Sequence, residues 1–138
     1  MPANYTGIEK ALIKAVRAVD NDTPREYPGK MLSSKPDSMW LSLHNKRGKS
    51  DPITLGDKGE DNHPGFLQID INTPKNKGSG EGLSKGDEFI SFFTAGKLLV
   101  YNMQNVRVLS SSLSSGRYVG GYYRISVTIT YYSRTQRI

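Results

Sequence analysis

Near the end of the chain, Tyr123, Ile125, Val127, Ile129 and Tyr131 alternate without a break with Arg124, Ser126, Thr128 and Thr130. Successive strand side chains point to opposite faces, and β-branched and aromatic residues suit the pleat, so Tyr122 to Tyr132 predicts a strand central in a sheet. Gly65-Phe66-Leu67-Gln68-Ile69-Asp70-Ile71 repeats the pattern, with Leu67, Ile69 and Ile71 on one face and Phe66, Gln68 and Asp70 on the other. Thr73-Pro74 ends this strand, because proline has no N–H for a ladder.

Two half-buried strands require a cover. Ile8, Ala11, Leu12, Ala15, Val16 and Val19 recur at spacings of three and four, which predicts an amphipathic helix over residues 5–20. Asn4 or Thr6 can cap it, Glu9 suits its positive end, and Asp20-Asn21-Asp22-Thr23-Pro24 closes it. Lys10, Lys14 and Arg17 fall on its solvent side. A second helix is expected to end in Phe89, Phe92 and Phe93, entered through a flexible glycine-rich linker over residues 75–82.

The remaining segments are less regular. Residues 25–37, punctuated by Pro28 and Pro36, read as an extended connector. Ser38 to His44 reads as a strand with Met39, Leu41 and Leu43 on one face and Trp40 packing on the other. Residues 45–64 read as a long polar hairpin or loop, a candidate contact arm with a short strand at Pro52 to Leu55, a basic tip of Lys46, Arg47 and Lys49, and an acidic return of Asp57, Glu60 and Asp61. Lys97 to Met103 and Asn105 to Leu109 suggest a hairpin divided at Gln104-Asn105. The serine tract 110–115 reads as a mobile turn, and residues 133–138, with Arg134 and Arg137, as a projecting tail. The expectation is an α+β fold in one domain over residues 1–138, with a mixed or antiparallel sheet packed against two main helices.

Lys+Arg 19 against Asp+Glu 13 gives a net charge of +6, which favours acidic surfaces without choosing among them. With no cysteine there is no disulfide or thiol chemistry. No leader pattern and no stretch near the roughly 20 apolar residues of a membrane span are visible, so a soluble protein is expected.

Chemical motifs fail on inspection. Gly78-Ser79-Gly80-Glu81-Gly82-Leu83 places leucine where a dinucleotide fingerprint needs its third glycine, and Ser84-Lys85-Gly86 lacks the Ser or Thr that follows a phosphate-loop lysine. His44 and His63, read as isolated loop histidines, lie outside any paired-ligand spacing, and Asp57 to Asp61 departs from a calcium loop. No catalytic residue, cofactor or metal ligand is expected, and no enzyme. Arg117-Tyr118 followed by Tyr122-Tyr123 leaves a small basic nucleic-acid-binding module as the alternative, although the order departs from an RNA-recognition strand.

The order of IEKALIKAV, TLG with a polar segment, HPGFLQIDINTPKNKGSGEG, a helix and GGYYRISVTITY resembles the bacteriophage tail terminator family. Gly65, Gln68, Asp70, Pro74, Gly78 and Gly80 carry the match, joined by Tyr122, Tyr123, Arg124 and Val127. Pro64 and the Lys- and Ser-rich stretches 45–50 and 110–115 depart from the pattern. The resemblance implies a structural virion protein at the head-proximal end of a tail. It would form a ring, expected to be a hexamer, that caps the tail tube, stops its polymerisation and meets a head-completion protein, with DNA passing through the lumen. Lys46, Arg47, Lys49, Asp57, Glu60, Asp61, Arg134 and Arg137 are the expected assembly contacts, made by the arm and the tail.

Overall fold

A computed structural model describes residues 5–137. The order is α1 (Tyr5–Val19), β1 (Arg25–Glu26), β2 (Trp40–Arg47), β3 (Asp51–Pro52), β4 (Glu60–Pro74), α2 (Gly80–Phe92), β5 (Leu98–Tyr101), β6 (Gln104–Leu113), β7 (Arg117–Val119) and β8 (Tyr122–Gln136). β4 and β8 pair antiparallel along their whole length, from Glu60 opposite Gln136 to Pro74 opposite Tyr122. Around that pair the sheet runs β1-β2-β4-β8-β6-β5, with β3 on β4 and β7 on β8. β1 joins parallel and the other pairs are antiparallel, so the sheet is mixed and the domain α+β.

Strand alternation puts Leu41, Leu43, Leu67, Ile69, Ile71, Val127, Ile129 and Tyr131 on one face, where Ile8, Leu12 and Val16 of α1 and Phe89 of α2 cover them. Full burial of such side chains contributes roughly 2 kcal/mol each, so this face carries the hydrophobic stability of the fold. Gly86 lets α2 lie close to the sheet: a Cβ there would stand 2.8 Å from Cδ1 of Leu113. Gly65 does the same within the sheet, since a Cβ would stand 2.7 Å from the Tyr131 hydroxyl and 2.8 Å from the Lys46 carbonyl.

Several expectations are corrected. The connector holds a short strand, β1, because Arg25 and Glu26 find free backbone partners at Leu41 and Ser42. The arm is a hairpin, as one of its two readings had it: β2 runs on to Arg47 opposite Gly65 and β4 begins at Glu60, while the short strand expected at Pro52 to Leu55 lies instead at Asp51–Pro52 (β3), where the backbone pairs with Asn62 and Asp61. Gly80 and Gly82 belong to α2, leaving residues 75–79 as the linker. The hairpin turns at Asn102-Met103, both in the left-handed region that matches strand twist, while Gln104 and Asn105 lie in β6.

The first part of the serine tract is also strand, and only Ser114 and Ser115 lie beyond β6. Ser110, Ser111 and Ser112 pair with Thr130, Ile129 and Thr128, because β8 presents backbone groups that need partners whatever the side chains. The tail does not project as far as Arg137: Arg134, Thr135 and Gln136 extend β8 against Asn62, Asp61 and Glu60. Thr6 lies inside α1, and Asn4 and Ile138 lie outside the described residues.

Candidate assembly surface

Register brings most of the expected contact residues to one end of the sheet. Glu60, Asp61 and Asn62 of β4 stand opposite Gln136, Thr135 and Arg134 of β8, so the acidic return and the chain's last arginines are neighbours. Arg137 ion-pairs with Asp61 and donates to the carbonyls of Thr54, Gly56 and Glu60, while its own N–H donates to the Gly59 carbonyl at 2.8 Å. The guanidinium thus fills the loop before β4. Its donors are consumed internally, so Arg137 shapes the arm.

The basic tip is separate. Arg47 pairs with Glu9 of α1 at 3.3 Å and lies 5.6 Å from the centre of the Tyr5 ring. Lys46, Lys49, Asp57 and Glu60 are exposed, and their side chains have no ion pair among the described residues. Basic tip and acidic return therefore do not neutralise each other. Arg134 lies over the Tyr132 ring at 5.5 Å.

Both histidines are on strands, which corrects their reading as loop residues. His63 Nδ1 is 2.6 Å from the Ser50 hydroxyl and Nε2 is 2.7 Å from that of Thr135, tying the arm's root to β8. His44 Nε2 lies 3.3 Å from Oδ2 of buried Asp70. Asp70 accepts from Ser126 at 2.6 Å and from Gln68 at 2.8 Å, and Arg124 donates to Asn72 at 2.7 Å. Gln68, Asp70 and Arg124, which carry the family resemblance, meet here as a hydrogen-bonded network on the face away from the helices. A buried carboxylate demands such partners, so the network stabilises the sheet.

Sequence reasoning missed the apolar part of that face. Leu98 and Leu109 are exposed beside Tyr132, around open depressions of about 310 and 390 Å³, and Phe66 is exposed in the next row opposite Thr130. The signal was present in the alternation of β4 and β8, whose outward residues include Phe66 and Tyr132. Trp40 is buried, edge-on to Tyr122 at 5.5 Å, as expected of a packing residue.

Two further carboxylates, Asp20 and Glu26, are buried and paired. Burial pushes the Asp20 carboxyl up, but hydrogen bonds from Lys85 and Thr23 outweigh it and hold the group well below the usual range. Burial likewise opposes ionisation of Glu26, and Lys35 and the Leu32 N–H lower it. Among the described residues no three His, Asp or Glu side chains are placed to share a metal ion, and no helix is long and apolar enough to cross a membrane.

Comparison with known proteins follows the same direction. No curated protein matches the sequence. A solved structure superposes with a TM-score of 0.70 at 15% identity, covering 93% of this chain and 91% of its own, which speaks to fold. The profile of a family described as "Phage tail terminator protein" matches residues 7–131. A match over so much of the chain means that it belongs to the phage tail terminator family, the structural proteins of phage tails.

Proposed function

We propose that the protein closes on itself into a ring, expected to be hexameric, that caps the finished tail tube at its head-proximal end. The ring halts subunit addition and presents a surface to head-completion proteins, and DNA passes through its lumen without sequence-specific contact. The family match over residues 7–131 carries this reading. It is supported by an arm whose charged residues Lys46, Lys49, Asp57 and Glu60 remain unneutralised, because charge complementarity between subunits fixes register more than it adds affinity. Arg134 stands at the same border, whereas Arg47, Asp61 and Arg137 act by holding the arm in shape.

The test is direct. Light scattering and negative-stain images of the purified protein should show a closed ring, and adding it to polymerising tube protein should shorten the tubes. A monomer with steeply salt-dependent affinity for nucleic acid and no effect on tube length would overturn the reading in favour of a nucleic-acid-binding module.

A further inference from the structure

The helices cover one face of the sheet only. On the other face, Leu98, Arg107, Tyr132 and Pro64 stand side by side across β5, β6, β8 and β4, fixed by register. The next row holds Thr130, Phe66 and Lys46. Leu98 is 42% exposed, Leu109 50% and Phe66 36%. Two open depressions meet at the ridge of Tyr132 and Arg134, one bounded by Leu98 and Arg107, the other by Leu109, Pro64 and Ile53. Glu60 and Asp51 border this area at the arm. Neither Arg107 nor Arg134 has a carboxylate within ion-pair distance among the described residues. Tyrosine, leucine and arginine around a concavity are what the centre of a protein interface is made of.

The opposite side of the molecule offers the complement. α2 turns Gly82, Gly86 and Phe89 inward and exposes Glu81, Leu83, Asp87 and Glu88. Leu83 and Asp87 are one turn apart on one flank. The helix's only cation, Lys85, is held by Asp20 at 2.7 Å and Glu88 at 2.9 Å. In a chain of net charge +6, the outer surface of α2 is therefore acidic and apolar, where the bare sheet is basic and apolar.

We infer that α2 of one copy seats on the bare sheet of the next, with Leu83 in the depression beside Tyr132 and Glu81 and Asp87 facing Arg107 and Arg134. The inference rests on the ring proposed above and names the contact that closes it. Because the two surfaces lie on opposite sides of a two-layer subunit, the contact is head-to-tail, the kind that generates rings when its rotation closes.

Charge exchange tests it. The E81K/D87K and R107E/R134E variants alter exposed side chains, and each should remain folded by thermal melting yet lose the ring on sizing. The quadruple variant should regain it. An equimolar mixture of the two doubles should also form rings, with strictly alternating subunits by native mass spectrometry, since each basic α2 then meets an acidic sheet and each acidic α2 a basic one. Independently of folding in those variants, the absence of native cysteine allows L83C/L109C to be joined by a short bis-maleimide, which should give a ladder of covalent multimers. A wild-type protein that never self-associates overturns the ring itself. A wild-type ring with ring-forming doubles, no recovery in the mixture, or no ladder overturns this contact and leaves the ring standing.

Discussion

Lys85 on α2 places its ammonium 2.7 Å from Oδ2 of Asp20, the residue after the last turn of α1, so one ion pair joins the two helices. Asp20 also accepts from Thr23 N–H at 2.9 Å and Arg25 at 3.0 Å. The carboxylate is the hub that turns α1 into β1.

Replacing Asp20 with Asn should lower the unfolding free energy at neutral pH by about 3 kcal/mol, because buried Arg25 loses its carboxylate and Lys85 loses the buried one of its two. The folded carboxyl titrates below its usual value, so its contribution is complete above the unfolded value of about 3.9 and fades as pH falls toward the folded one. Urea melts at stepped pH should show the gap between wild type and D20N closing below about pH 4. A gap that stays constant down to strong acid would contradict the role given to Asp20.

Tyr131 and Gly65 are cross-strand partners in which ring and backbone touch. Gly65→Ala should cost about 2 kcal/mol, since the added methyl meets the Lys46 carbonyl as well as the ring. Tyr131→Phe should cost about 1 kcal/mol by leaving Asn45 Oδ1, now 2.6 Å from the hydroxyl, without its donor. Burial pushes the Tyr131 hydroxyl up, so the neutral form is favoured in the fold. Its contribution is present below the unfolded value of about 10 and is lost as pH rises through the folded one. Equal melting curves for wild type and G65A would count against this packing.

Arg137→Ala should release the loop of residues 53–60 while leaving the core intact. Hydrogen exchange at Gly59 and Glu60 should accelerate, with a change in global stability of about 1 kcal/mol. If exchange there is unchanged, the guanidinium is not what holds the loop.

Alanine at Lys46, Lys49, Asp57 and Glu60 together should impair ring formation with little change in melting temperature, because those side chains make no internal ion pair. Unaltered rings from the fourfold variant, and from one that adds Arg47 and Asp61, would remove the arm from the assembly contacts.

The fold was legible where side chains report their own environment. Leu67, Ile69, Ile71 and the Ile125 to Tyr131 series alternate because one face is buried, and Ile8, Leu12 and Val16 share a helical stripe for the same reason. Ser110 to Ser112 and Arg134 to Gln136 carry no such signal, since their strand state is imposed by backbone partners on β8 and β4. Glycine misled in the other direction: Gly82 suggested a flexible linker, yet it and Gly86 are buried where the helix approaches Ile125 and Leu113. The charged character of the arm was readable. That Arg137 would fold back onto the carbonyls of residues 54–60 was not, because those acceptors belong to the backbone and lie far away in sequence.

β8 lies between β4 and β6, and every strand it joins precedes it along the chain. On a translating ribosome the two halves of the sheet therefore remain unbridged until β8 emerges. The bare-sheet surface around Tyr132 and Arg134 lies on β8 itself, so the ring contact proposed above cannot form before that strand has been made.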